Sequence, residues 1–122
     1  MTGVQTCALP ILVSGADQDK NGFLDLDAEL DAGLSGQLWN CAAMFIWTAV
    51  PYRTEWRYTV AAAKTVLLDA GHACQSLYGA CEAIGLGTCA QAAYDQGKLD
   101  KALGVDGTDE FAVYAAPVGR VV

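Results

Sequence analysis

A repeat of apolar residues in the second half of the chain constrains its fold more than any other feature. Apolar side chains recur at positions 60, 63, 67, 70, 74, 77, 81 and 84. Steps of three and four residues keep side chains on one face of an α-helix. The repeat therefore predicts a helix of about 25 residues that ends at Gly85, and this is much longer than an average helix. Gly71 and Gly79 would let another backbone come close, so we expect this helix to be central or to lie in a dimer interface.

The segments before this helix predict one helix and one strand. Leucines at steps of four residues in 23–39 indicate an amphipathic helix, which Gly33 and Gly36 weaken. The apolar run 41–50 indicates a buried strand, and we interpret 51–56 as a connector.

The segments after the helix continue the alternation. Residues 86–94 predict a short strand or an extended segment, and Asp95 should cap a helix over 96–103 that stops at Gly104. Residues 110–118 predict a final strand that Pro117 and Gly119 end. The order α-β-α-β-α-β indicates an α/β or α+β class.

The composition narrows the possible functions. The chain has 122 residues, enough for one domain, and its apolar content of 53% suggests a surface that a partner chain or a missing half covers. The net charge is −7 and no basic run occurs, which argues against nucleic-acid binding. Apolar runs long enough to span a membrane are absent from the sequence.

The cysteines indicate a reducing compartment. Apart from Cys7, the chain has cysteines at 41, 74, 81 and 89, without a CxxC pair. Their spacing fits no zinc ribbon. We interpret the four as reduced, mostly buried thiols of a cytoplasmic protein.

The first eleven residues, MTGVQTCALPI, match no regular structure. They carry no charge, so they lack the basic start of a signal peptide, and Pro10 interrupts their short apolar run. They look like the translation of a short-read sequencing adapter. We therefore expect residues 1–11 to be an artefact and residues 12–122 to start in the middle of a gene.

The loop 17–29 almost matches a calcium-binding EF-hand. Asp17, Asp19 and Asn21 occupy the first ligand positions, but Ala28 stands where the loop needs a bidentate Glu. A small calcium-binding module is therefore an alternative hypothesis, beside a solvated acidic loop.

Asp69, His72 and Ser76 have the residue types of a nucleophilic triad. They lie on one face of the predicted helix, where side chains point the same way and a serine usually bonds its own backbone four residues back. We interpret them as a polar stripe. His72 is the only histidine in the sequence, and a metal site is not expected.

Three stretches together resemble one family. They are WTAVPYRTEWRY, LLDAGHACQSLYGACEAIGLGTCAQAAYD and KLDKALGVDGTDEFAVYAAPVGR. They are similar to the C-terminal half of the nitroreductase-like flavoproteins, above all to the SagB-type branch of azoline-oxidising peptide dehydrogenases. The resemblance covers residues 25–120. It implies a truncated nitroreductase-like fold with a mixed sheet, and a homodimer with FMN at the subunit interface.

The resemblance also assigns site residues. It implies that the backbone of Ala90, Gln91, Ala92 and Ala93 approaches the flavin ring, and that Arg120 binds the FMN phosphate. Arg57 and Tyr58 stand where the SagB-type branch has a catalytic Lys-Tyr pair. Because arginine stays protonated it is a poor base, so azoline oxidation is in question while flavin binding is not.

The interpretation that follows is a fragment of an FMN-dependent oxidoreductase that acts on a small molecule or a peptide. Because the family's N-terminal flavin contacts are missing, we expect the chain alone to bind FMN weakly or not at all. A flavin-free scaffold relative in a peptide-modifying assembly is a further alternative.

Overall fold

The structure is a computed structural model that describes residues 8–14 and 23–121, with side chains from residue 28 onward. Its helices are α1 (Phe23–Gly33), α2 (Tyr52–Tyr58), α3 (Ala62–Ala83) and α4 (Gln96–Leu103). Its strands are β1 (Ala8–Ser14), β2 (Ala43–Ala49), β3 (Gly87–Thr88) and β4 (Phe111–Gly119). A single 3-10 turn, Thr59–Ala61, joins α2 to α3.

The four strands form one sheet in the order β1-β2-β4-β3. Each described pairing is antiparallel, whereas the resemblance led us to expect a mixed sheet. The central pair, β2 and β4, is irregular between Trp47 and Thr48. Trp47 pairs with Tyr114 and Thr48 with Ala112, so Val113 of β4 is the extra residue of a β-bulge.

Helices cover the sheet on both faces, as the α/β class requires. On one face Leu30, Leu34 and Leu99 pack against Met44 and Ile46. On the other face, Ala70 and Cys74 of α3 pack against Trp47 and Ala116. Burying such side chains contributes about 1.5–3 kcal/mol each for the larger ones, and this burial holds the two layers on the sheet.

The long helix agrees with its prediction. α3 runs from Ala62 to Ala83 and is followed by Gly85 at a φ of 73°, a conformation that glycine adopts without strain. The predicted apolar stripe is only partly buried in the single chain. Ala70, Cys74 and Cys81 are buried, but Val60 is 98% exposed and Leu67 is 60% exposed.

The helix after Asp95 is also confirmed. The Asp95 carboxylate accepts the N–H of Lys98 at 3.0 Å, and α4 ends at Gly104 with a φ of 73°. This cap satisfies one of the N–H groups that every helix start leaves without a partner.

Three predictions differ from the structure. The first helix ends at Gly33 rather than 39, because the chain enters a left-handed turn at Ser35 and Gly36. The connector 51–56 is part of α2. Pro117 lies inside β4 opposite Met44, so the last strand ends at Gly119 alone.

The segment 86–94 agrees with its prediction. Gly87–Thr88 forms a short strand, and Gln91 makes an isolated bridge to Ala115.

β1 includes residues 8–11, which the sequence analysis set aside as an artefact. They pair with β2 from Ala8 opposite Ala49 to Ile11 opposite Ile46. The origin of residues 1–11 stays a hypothesis. Among the described helices, none has the length and apolar character that crossing a membrane requires.

Candidate functional site

Five of the seven predicted site residues lie along one edge of the sheet. Gly87 pairs with Gly119, Thr88 pairs with Val118, and an isolated bridge joins Gln91 to Ala115. Residues 87–91 therefore run antiparallel to residues 115–119. We call this region, residues 87–93 with 115–121, the β3 edge. It contains Ala90, Gln91, Ala92, Ala93 and Arg120.

The backbone of the β3 edge is partly occupied by the chain itself. The N–H of Ala90 donates to the Tyr78 hydroxyl at 2.8 Å, and the N–H of Gln91 donates to the Ala115 carbonyl at 2.7 Å. The Ala93 carbonyl accepts from the Gln37 side chain at 2.7 Å. Within the described part of the chain, the N–H groups of Ala92 and Ala93 make no hydrogen bond. These two are the donors that a ligand could use.

Two buried oxygens at the β3 edge have no hydrogen-bond partner. They are Oε1 of Gln91 and Oγ1 of Thr88. Gln91 is only 4% exposed, and its Nε2 donates to the Gln37 carbonyl at 3.0 Å. A buried polar atom without a partner costs about 1–3 kcal/mol, so such atoms usually meet water or a ligand.

A small cavity of about 270 Å³ opens at the end of the β3 edge. Arg120 and Thr88 both line it, together with Asn40 and Cys89. A guanidinium beside a hydroxyl and an amide side chain is a suitable set of donors for a phosphate. Arg120, the residue predicted to bind the phosphate, therefore lines a cavity that has further polar side chains in its wall.

Arg57 and Tyr58 lie elsewhere, at the end of α2. The Arg57 guanidinium is 5.6 Å from the centre of the Tyr58 ring, a cation–π contact. α2 follows β2 near Ala49, which pairs with Phe111 at the far end of β4 from Gly119. Eight residues of strand separate these ends by about 26 Å. The start of α2 therefore lies toward the opposite end of β4 from Gly119 and the neighbouring Arg120.

The backbone immediately after Tyr58 is strained. Thr59 has a φ of 46° and a ψ of −119°, outside the regions that a β-branched residue normally occupies. Such a conformation costs about 1–3 kcal/mol and persists only when its surroundings enforce it. The strained residue directly follows Arg57 and Tyr58, the pair that the resemblance aligned with a catalytic pair.

The nucleophilic alternatives find no support in the geometry. The Ser76 hydroxyl donates to the His72 carbonyl at 3.3 Å, as expected for a serine inside a helix. Burial raises the pKa of the Cys74 thiol, which makes it a weaker nucleophile. Within residues 28–121 Cys74 and Cys81 are buried, Cys89 is exposed, and none of the four cysteines forms a disulfide.

No calcium site can be assessed at the acidic loop, because residues 17–22 lie outside the described residues. Ala28, at the position that should carry the bidentate Glu, is exposed on α1. In the described part of the chain, no three His, Cys, Asp or Glu side chains could hold a metal together. The calcium module stays a hypothesis that a calorimetric titration with Ca²⁺ would test.

Sequence reasoning missed three residues of this site. The sequence analysis placed Tyr78 in the long helix and Thr88 in a short strand, without a role at the site. It placed Gln37 in the first helix, which in the structure already ends at Gly33. Their role comes from contacts between segments 12 to 56 residues apart, such as Tyr78 with Ala90 and Gln37 with Ala93. A local pattern carries no signal for such contacts.

The profile of the Nitroreductase family matches residues 8–120, which is most of the chain. A comparison with curated protein sequences finds no match.

Solved structures with the same fold include several nitroreductases. NfrA1 nitroreductase from B. subtilis is 20% identical, with a TM-score of 0.76 over 96% of this chain and 50% of its own. Nitroreductase A from Vibrio parahaemolyticus is 13% identical, with a TM-score of 0.76 over 98% of this chain and 52% of its own. The chain thus spans about half the length of these two relatives.

A third structure is a complex. It is the E. coli microcin synthetase McbBCD with truncated pro-MccB17 bound, in which the matching chain is 18% identical. The TM-score is 0.71 over 81% of this chain and 37% of that one. At these identities the likeness shows the fold alone.

Proposed function

Because the chain belongs to the nitroreductase family, we propose that it is the C-terminal half of an FMN-dependent oxidoreductase. FMN would supply hydride transfer between a substrate and N5 of its ring. Within the family we favour the SagB-type branch, whose resemblance covers residues 25–120. The intact protein would be a cytoplasmic homodimer that acts on a small molecule or a peptide.

The observation that carries this proposal is the set of unused polar groups at the β3 edge. Arg120 and Thr88 line one cavity, and the Thr88 hydroxyl is buried without a partner. These residues would hold the phosphate, since guanidinium and hydroxyl groups both bind phosphate oxygens. The fit between the residues and the cofactor is therefore good at this end.

The ring of the cofactor would lie against Ala92 and Ala93. Their N–H groups have no partner among the described residues, and both side chains are small enough for close backbone approach. Ala90 and Gln91 donate their N–H groups within the chain, so they would support this segment rather than contact the ring directly. Backbone N–H donors beside the ring would stabilise the negative charge that develops on the ring when it accepts a hydride.

Arg57 and Tyr58 would act on the substrate. Tyr58 is 40% exposed, so its hydroxyl can exchange a proton with a bound molecule or with water. The adjacent Arg57 would bind a negatively charged group of the substrate. Because α2 starts toward the opposite end of β4 from Arg120, this pair would act on the substrate and not on the phosphate of the cofactor.

The assignment of Arg120 can be tested with FMN and riboflavin, which differ by the phosphate. We expect ligand-detected NMR on the 122-residue chain to show weak FMN binding, and riboflavin binding about ten-fold weaker. Arg120→Gln should remove this difference, whereas Arg53→Gln, at an exposed arginine on α2, should preserve it. Equal binding of the two flavins to the unaltered chain would contradict the assignment.

One contact favours a second candidate function. The Tyr78 hydroxyl already occupies the N–H of Ala90, one of the four predicted flavin contacts. This favours a flavin-free relative that serves as a scaffold in a peptide-modifying assembly. Absence of flavin from the intact protein would distinguish this candidate from the first.

A further inference from the structure

A second cavity of the described residues lies away from the β3 edge. It has a volume of about 890 Å³ and lies between α2, the start of α3 and the segment that leads into β4. Pockets that bind small organic molecules have volumes of about 300–1,000 Å³. The cavity is therefore large enough for a ligand with an aromatic ring and a short alkyl chain.

The walls of this cavity are apolar. Val66 and Leu67 of α3 face Phe111 and Val113 of β4, and Val50 and Pro51 close one end. An apolar wall of this kind favours the hydrocarbon part of a ligand by about 25 cal/mol for each Å² that it covers.

The charged groups of the cavity are all of one sign. Glu55 of α2 and Asp109, before β4, line it, and the lining contains no lysine, arginine or histidine. Within residues 28–121 the one ion pair joins Lys98 to Asp95, so Glu55 and Asp109 form no ion pair. Arg53 and Arg57 flank Glu55 on α2, but neither forms an ion pair with it, and Arg57 stacks on Tyr58.

Both carboxylates stand on backbone that is already ordered. The Asp106 carboxylate accepts the N–H groups of Thr108, Asp109 and Glu110 at 2.9, 2.8 and 3.0 Å. These bonds hold the turn that carries Asp109. Glu55 lies in the middle of α2, which the buried Thr54 anchors to the rest of the molecule.

We propose that this cavity binds a small organic ammonium ion, with an aryl or alkyl body against the apolar wall and the ammonium between Glu55 and Asp109. An apolar site with unpaired carboxylates at its edge favours a cation over a neutral or anionic molecule of the same shape. The net charge of −7 acts in the same direction. The proposal does not depend on flavin.

Three ligands of one shape test the proposal on the 122-residue chain: phenylbutylamine, phenylbutanol and phenylbutyrate. Calorimetry should show one molecule of the amine bound per chain at about 0.1–1 mM. The alcohol should bind about five-fold more weakly, and the carboxylate should not bind. Equal binding of the amine and the alcohol would overturn the proposal.

Variants locate the site. Glu55→Gln combined with Asp109→Asn should reduce the affinity for the amine to that for the alcohol. Glu82→Gln, at an exposed carboxylate near the other end of α3, should leave it unchanged. An affinity that survives the double substitution would overturn the proposal.

A second variant separates the cavity from general surface binding. Ala63→Phe adds a ring to an exposed residue that lines the cavity, so it should abolish binding of the amine while circular dichroism stays unchanged. Undiminished binding would overturn the proposal. A chain that sediments as a dimer and binds none of the three ligands would also overturn it, in favour of a second copy on this face.

Discussion

Asp106 shows how a single side chain organises a turn. Its Oδ1 accepts three backbone N–H groups, those of Thr108, Asp109 and Glu110. These bonds stabilise the charged carboxylate and lower the pKa of Asp106 below its ordinary value of 3.8, and the N–H of Glu110 has the largest effect. Because the pKa is lower in the folded chain, the charged form contributes stability above the unfolded pKa.

We expect this contribution to be lost as the pH falls through the folded pKa of Asp106. Asp106→Asn should therefore flatten the acid side of the stability profile, and Glu82→Gln, at an exposed carboxylate, should not. Urea unfolding at a series of pH values between about 2 and 7 measures this. An identical acid dependence in Asp106→Asn and the unaltered chain would contradict the assignment.

Tyr78 secures the segment that the flavin proposal depends on. Its hydroxyl accepts the N–H of Ala90 at 2.8 Å, across twelve positions of sequence. Tyr78→Phe removes only this acceptor, so we expect faster amide exchange at Ala90 and a loss of about 0.5–1.5 kcal/mol in unfolding free energy. Tyr52→Phe, at an exposed tyrosine of α2, is the matched control.

Protection at Ala90 that is the same in Tyr78→Phe and Tyr52→Phe would show that the hydroxyl is not the acceptor. Hydrogen exchange followed by NMR measures the protection of the Ala90 amide directly in both variants.

At the scale of elements, the packing of α1 on α4 depends on one glycine. A Cβ built at Gly33 would lie 2.9 Å from the Cα of Leu99 and 3.0 Å from its backbone nitrogen. Backbone atoms cannot move aside as a flexible side chain can. Gly33→Ala should therefore destabilise the fold by about 1–3 kcal/mol, the usual cost of overpacking.

Gly71 provides the matched control, since a Cβ there would meet nothing within 4 Å. Alanine in the middle of α3 should stabilise the chain by about 0.5–1 kcal/mol, because glycine is a poor helix former. Thermal unfolding of both variants measures the two effects. A Gly33→Ala variant as stable as Gly71→Ala would mean that the helices are not in close contact.

The elements that the sequence predicted well have signals within themselves. α3 has an apolar repeat over many turns and a glycine at its end, and α4 has Asp95 at its start and Gly104 at its end. α2 was missed because seven residues are too few to show a period, and their aromatic residues remain exposed. The helix predicted to 39 stops at Gly33 because the chain turns at Ser35 and Gly36.

At the scale of the whole molecule, the sequence could not predict how the strands pair. The antiparallel order β1-β2-β4-β3 joins segments far apart in the chain, and no local pattern encodes it. The β3 edge and both cavities follow from this order. Resemblance to a family named Ala90–Ala93 and Arg120 as site residues, which stays a prediction, whereas Thr88 and Tyr78 emerged only from the contacts.

Exposed apolar residues on α3 indicate what the single chain leaves unsatisfied. Val60 and Ile84 are at least 70% exposed, although the repeat placed them on the same stripe as buried residues. An apolar face of this kind is typical of a surface that another chain covers. This agrees with the proposal that the intact protein is a homodimer.

The central claim is that this chain is part of an FMN-dependent oxidoreductase. The most direct test joins the chain to the N-terminal half that the proposal calls for, and measures the visible absorption of flavin in the purified protein. The account predicts FMN bound in about a one-to-one ratio, and loss of this flavin in Arg120→Gln. A folded, extended protein that is colourless and takes up no added FMN would contradict it.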